Sequence, residues 1–124
     1  MKKSGILNAE LSRIVAGLGH GDVLVIGDAG LPVPAGVPCV DLAVTLGVPA
    51  MLDVLEAVLG EMCVEAAFRA SEAGAVGGEI DARVACDLVP HEVFKERSGG
   101  AVVVVRTGEG TPYANVGLVS GVVF

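Results

Sequence analysis

The chain has no tryptophan, one tyrosine and three phenylalanines among its 124 residues. A core without large rings must be built from Val, Leu, Ile and Ala, the composition of strands and helices buried on both sides in α/β proteins. Positive charge is also scarce. Eight Lys and Arg stand against fifteen Asp and Glu, a formal net charge of −7. With no basic patch, nucleic acid and anionic membranes are poor partners, and a strongly anionic substrate is disfavoured. A neutral small molecule suits this charge better. The three cysteines, Cys39, Cys63 and Cys86, are far apart and form no C-x-x-C pair. They make neither a disulfide framework nor a zinc ligand set, and read as small hydrophobes in a reducing compartment.

Long apolar runs are missing as well. No stretch reaches about 18 uninterrupted apolar residues, so no membrane span is expected. Asn8, Glu10, Ser12 and Arg13 break any signal-peptide core after Met1-Lys2-Lys3, and the expected location is the cytoplasm. Yet hydrophobic residues make up 52% of the chain, and the mean hydropathy is +0.70. That is high for a small soluble monomer and points to apolar surface covered between subunits. Length and the absence of repeats or linkers predict one domain spanning 1–124.

Asn8 is a suitable N-cap, and Leu11, Ile14, Val15 and Leu18 follow at helical spacing. Gly17 and Gly19 end that helix. Val23 to Ile26 reads as a buried strand, giving an α/β opening. Residues 30–38 hold Pro32, Pro34 and Pro38 and form an irregular loop. Val37 to Val44 is a second possible strand, limited by Pro38. Pro49 can start a helix running through Leu52, Leu55 and Leu59. Residues 62–70 fit strand or helix, and 71–82 fit a loop or a short, weak helix. Val84 to Val89 predicts a strand, Pro90 to Arg97 a helix, and Val102 to Val105 a buried strand. Thr107 to Pro112 is a turn. Val116 to Phe124 predicts a last strand, with Gly117 and Gly121 marking a bulge or a close approach.

Few side chains are equipped for chemistry. His20 and His91 are the only histidines, each at the edge of a predicted element. Either could move a proton near neutral pH or merely cap a helix end. Asp28 follows the strand ending at Ile26, where ligands gather in open α/β sheets, but it fits an Asx turn equally. Tyr113 and Asn115 offer a phenol and a carboxamide suited to sugar hydroxyls, or else support a corner. The loops Gly27-Asp28-Ala29-Gly30 and Gly108-Glu109-Gly110 match no phosphate-binding pattern, and each carries an acid. No serine sits in a nucleophile elbow, and two histidines with scattered acids assemble no catalytic metal site.

Longer motifs are more specific. Met1 to Asn8, Leu18-Gly19-His20-Gly21-Asp22, Asp28-Ala29-Gly30-Leu31-Pro32-Val33-Pro34, Glu61-Met62 with Val64-Glu65, His91-Glu92 with Phe94-Lys95, Arg106-Thr107-Gly108-Glu109 and Pro112-Tyr113-Ala114-Asn115 run in order along nearly the whole chain. Together they resemble the D-ribose pyranase family, the ribose branch of the ribose/fucose mutarotase superfamily. The resemblance implies a three-layer α/β/α fold with a central mixed sheet. It also implies a ring-shaped homo-oligomer, commonly a decamer, with sites near subunit contacts. The implied activity is cofactor-free isomerisation of D-ribose between pyranose and furanose forms, feeding ribose catabolism, with no metal. It gives His20 the proton-donor role and makes Asp28, His91 and Tyr113-Ala114-Asn115 the sugar-binding residues. Alternatives are a mutarotase for another sugar such as L-fucose, or a non-catalytic sugar-binding or transport-accessory protein. The chain departs from the family between about residues 70 and 86, where it looks shortened and Gly-rich, which puts one peripheral helix in doubt.

Overall fold

The computed structural model describes residues 1–124. Four helices and six strands alternate along the chain. They are α1 (Ala9–Gly17), β1 (Val23–Gly27), β2 (Cys39–Asp41), α2 (Met51–Leu59), β3 (Val64–Ala70), α3 (Ala75–Asp81), β4 (Asp87–Val89), α4 (His91–Ser98), β5 (Val103–Arg106) and β6 (Val116–Ser120). The strands form one sheet in the order β2-β5-β1-β6-β3-β4. β6 runs antiparallel to both its neighbours, β1 and β3, while the β1–β5, β2–β5 and β3–β4 pairs are parallel. The sheet is therefore mixed, with five strands pointing one way.

Alternation along the strands separates two apolar layers. Leu24, Ile26, Val103, Val105 and Leu118 face α1, α2 and α3 through Leu11, Ile14, Met51, Leu55, Val58 and Ile80. Val25, Val104 and Phe68 face the other way, onto Phe94 of α4 and Leu31 of the proline-rich loop. This gives three helices on one face and one helix with a loop on the other. The tip of the Phe68 ring presses on Gly117, where a Cβ would sit 2.2 Å from Cζ, so the close approach expected at that glycine is real.

Asn8 caps α1 as expected, its side chain accepting from the Leu11 amide at 2.9 Å. The 62–70 stretch becomes strand because β6 pairs with it, which local composition does not register. The register slips between Val64 and Ala66, so the irregularity lies in β3 and leaves Glu65 unpaired. Three strands are shorter than the apolar runs predict. β2 is three residues long, starting only after Pro38. β4 starts at Asp87 because Val84 still bonds back to Ile80 at the end of α3. β6 stops at Ser120, where the paired strands end. The helix placed in doubt is present as the seven-residue α3. Buried Arg69 grips it through Asp81, with Nε to Oδ1 at 2.9 Å and Nη2 to Oδ2 at 2.6 Å.

Candidate active site

The carboxyl ends of the parallel strands and the start of β6 meet at one edge of the sheet, and most of the nominated residues collect there. Asp28 directly follows β1 and Asn115 directly precedes β6. The two are locked together. The Asn115 Oδ1 accepts from the Asp28 amide at 2.7 Å, and its Nδ2 donates to Asp28 Oδ2 at 3.0 Å. Asn115 is 1% exposed while Asp28 is half-buried, so a buried amide presents a carboxylate toward solvent. Asp28 Oδ1 also accepts from the Gly30 amide at 2.9 Å, the Asx turn that the sequence left open. The turn and the ligand-facing position are compatible, since each carboxylate oxygen accepts one bond within the chain and keeps a further lone pair for a ligand hydroxyl.

Tyr113 carries φ of 61°, unusual for a residue with a Cβ. The Asn115 amide donates back to the Tyr113 carbonyl at 2.9 Å, closing a tight turn over buried Ala114. Strain of this kind persists where surrounding bonds over-determine it, and it clusters at ligand-binding positions. The turned backbone lays the Tyr113 ring edge-on against His91, with centroids 5.0 Å apart. His91 opens α4 right after β4, and its ring also lies parallel to Phe94 at 6.4 Å. Its Nδ1 has no partner within the chain. Pro90 cannot cap α4 by side chain, so Glu72 does so from beyond β3: both carboxylate oxygens accept the His91 amide at 3.0 Å. That bond holds the Glu72 carboxyl below its ordinary range.

His20 is not at this edge. It precedes β1, whereas Asp28 follows it, and the intervening five-residue strand separates them by about 15 Å. The neighbouring Gly21 amide bonds to Ser120 at the far end of β6. There His20 Nε2 lies 2.8 Å from Glu65 Oε2, the unpaired residue of the β3 irregularity. Both side chains are exposed, at 63% and 43%. One chain thus gathers Asp28, His91, Tyr113, Ala114 and Asn115, and carries His20 with a carboxylate partner at the opposite edge. The largest recess, an open apolar hollow of about 480 Å³ between α1, α2 and the 42–48 hairpin, belongs to neither group.

Three glutamates, Glu65, Glu72 and Glu109, support these residues; Glu65 and Glu109 lie in motifs of the family resemblance, which assigns them no role, and Glu72 lies in none. Their partners lie 45, 19 and 58 residues away, so no local spacing announces them.

Known proteins bear on this arrangement. The sequence profile of the RbsD / FucU transport protein family matches residues 1–123. The chain is 55% identical over 130 residues to a D-ribose pyranase of Paracidovorax citrulli and 52% identical over 131 residues to one of Laribacter hongkongensis, covering 100% of both chains in each case. The structure of Bacillus subtilis RbsD complexed with D-ribose superposes with a TM-score of 0.93 at 44% identity, again over the full length of both chains. A fucose mutarotase from Streptococcus pneumoniae, in complex with L-fucose, shares the fold at a TM-score of 0.83 and 23% identity. The chain therefore belongs to the RbsD/FucU family.

Proposed function

We propose that this chain is a D-ribose pyranase, an isomerase that interconverts β-D-ribopyranose and β-D-ribofuranose without a cofactor, and that two copies build each site. The observation that carries the first half is the full-length likeness to D-ribose pyranases and to a ribose-bound RbsD, joined to a cluster of hydroxyl-recognising groups at one sheet edge. In this reading Asp28, His91 and the Tyr113-Ala114-Asn115 turn hold the sugar hydroxyls, which both donate and accept.

The chemistry needs a proton taken from the anomeric hydroxyl and one given to the ring oxygen. The bond from C1 to the ring oxygen breaks and an open aldehyde forms. Attack of the C4 hydroxyl on C1 then closes the five-membered ring and returns both protons. His20 is the shuttle. Its Nε2 faces Glu65, whose ionised carboxylate can only accept, so that nitrogen carries the hydrogen and Nδ1 is left to exchange protons with the sugar. Positioned acid–base catalysis of this kind supplies about 10²–10⁴-fold.

The second half follows from the separation of His20 and Asp28. A shuttle about 15 Å from the sugar cannot act on it, so His20 must come from another copy. Exposed apolar residues flank both edges. Val44 and Leu46 (81% and 77% exposed) project from the hairpin packed on Gly108 beside the Asp28 edge, while Val123 and Phe124 (91% and 100%) trail from β6 at the His20 edge. Contact between unlike edges is head-to-tail, and such contacts form rings when the rotation between neighbours closes, the arrangement that the ring-shaped decamer expected from the family requires. A cytoplasmic location fits the three unpaired cysteines.

Exchange NMR on D-ribose tests the activity. The protein should speed exchange between pyranose and furanose signals, and do so more for ribose than for the anomers of L-fucose. Unchanged ribose exchange at saturating protein would reject the assignment.

A further inference from the structure

The turn Thr107-Gly108-Glu109-Gly110-Thr111 follows β5 and makes no side-chain hydrogen bond to a site residue, yet it ties together the segments behind the sugar cluster. Its backbone brackets Asp28. The Thr107 amide and hydroxyl both donate to the Gly27 carbonyl, at 3.0 and 2.8 Å, and the Glu109 carbonyl accepts from the Ala29 amide at 2.9 Å. The residues on either side of Asp28 are therefore tied to one turn. That turn runs straight on into Pro112 and the strained Tyr113.

The turn is itself fastened by one carboxylate. Glu109 Oε1 accepts from the Thr111 amide at 3.2 Å and the Thr111 hydroxyl at 2.8 Å. Glu109 Oε2 accepts from the Met51 amide at 3.1 Å, in the first turn of α2. Ala50, at the cap of α2, offers no side-chain acceptor, so this remote acid fills that need. The Glu109 amide is bonded to the Thr107 hydroxyl at 3.2 Å. Tight packing of the same turn on the 45–48 hairpin leaves no room at Gly108, where a Cβ would lie 2.4 Å from the Thr45 and Val48 carbonyl oxygens.

We propose that Glu109 is a positioning residue of the sugar site, its two oxygens joining the α2 N-terminus to the 107–111 turn so that Asp28 and the Tyr113–Asn115 turn keep a fixed spacing. Three donors converge on two oxygens, which only a carboxylate can satisfy. A glutamine brings one acceptor and points an NH₂ at another donor. The readout in sugar affinity rests on the ribose reading above; the readout in backbone protection does not.

The experiment compares Glu109→Gln, Thr111→Val and Asn8→Ala with the wild-type oligomer. Asn8→Ala removes the α1 cap away from the cluster and serves as a stability control. Glu109→Gln should raise KM for ribose by about tenfold with kcat within about threefold, the signature of lost positioning of binding groups. Amide hydrogen exchange at Ala29 and Met51 should speed up. Thr111→Val, which keeps the carboxylate, should shift KM by about threefold in the same direction. Asn8→Ala should lower Tm comparably and leave KM and Ala29 exchange unmoved. A Glu109→Gln protein with lowered Tm but wild-type KM and wild-type Ala29 exchange would overturn the proposal. If that variant does not fold, wild-type values of both readouts in Thr111→Val would overturn it. If the wild-type protein does not accelerate ribose exchange, the pyranase assignment fails, while Ala29 exchange still decides the role of Glu109.

Discussion

Replacing Asn115 by aspartate changes one NH₂ to an oxygen and preserves shape, but it sets a second carboxylate 3.0 Å from Asp28 Oδ2. The existing bond from the Asp28 amide survives, because the new side chain still accepts there. What changes is the facing pair. Two unit charges at that distance repel by about 5–6 kcal/mol at an effective dielectric of about 20. Asp28 is only half-buried, so solvent screening brings the cost to about 2 kcal/mol. That is about 30-fold in the population holding Asp28 in place, and KM for ribose should rise by that factor at pH 7. The charge cost has a remedy that a packing defect lacks. As pH falls from 7 toward 5.5 the pair can share one proton and restore a hydrogen bond. Exchange NMR of ribose from pH 5.5 to 8, with thermal melts at both ends, reads the effect. KM and Tm of the variant should approach wild type on acidification. An Asn115→Asp protein that matches wild type at pH 7, or whose defect is the same at every pH, would refute the geometry assigned to this pair.

Glu65→Gln should lower kcat by about tenfold and leave KM near wild type, because the amide still reaches His20 but can turn its NH₂ to Nε2 and no longer fixes which ring nitrogen carries the hydrogen; steady-state exchange rates at several ribose concentrations give the split. Stability should fall on both sides of neutrality, read as the urea midpoint from pH 3 to 10. Bonds from the His91 amide, from Lys2 and from Arg69 hold Glu72, Glu61 and Asp81 below their ordinary values. The stability they contribute is complete above about pH 5 and is lost as pH drops through their lower folded values. Burial pushes the Cys86 thiol up to about 11, so the folded state resists its ionisation and stability declines as pH rises past 9.

Much of this was legible in the sequence because the signals are local. Asn8 marks a helix start by its side chain, and Val23 to Ile26 and Val102 to Val105 are buried strands by composition. Asp28, His91, Tyr113 and Asn115 could be nominated from residue type and position beside predicted elements. The 62–70 stretch could not be decided, since its strand character comes from pairing with residues more than 45 positions later. The apolar runs overstate β2, β4 and β6 because hydrophobicity does not mark where pairing starts or stops: Pro38 delays β2, the end of α3 holds Val84 back from β4, and β6 ends where its partner strands do. Most important, residues 20 and 28 are near in sequence but lie at opposite edges, because a strand between them carries the chain across the sheet. The roles of Glu65, Glu72 and Glu109 are hidden by the long separations of their partners; Glu65 and Glu109 stand in motifs of the family resemblance, which assigns them no task.

The claim that two copies build each site is tested by mixing His20→Ala and Asp28→Asn chains. Each variant alone should be nearly inactive in ribose exchange NMR. Dissociated together and reassembled in equal amounts, they should recover about a quarter of the wild-type rate, the fraction of contacts that place an intact His20 against an intact Asp28 when neighbours are drawn at random. No recovery from a mixture shown to have co-assembled would contradict the account.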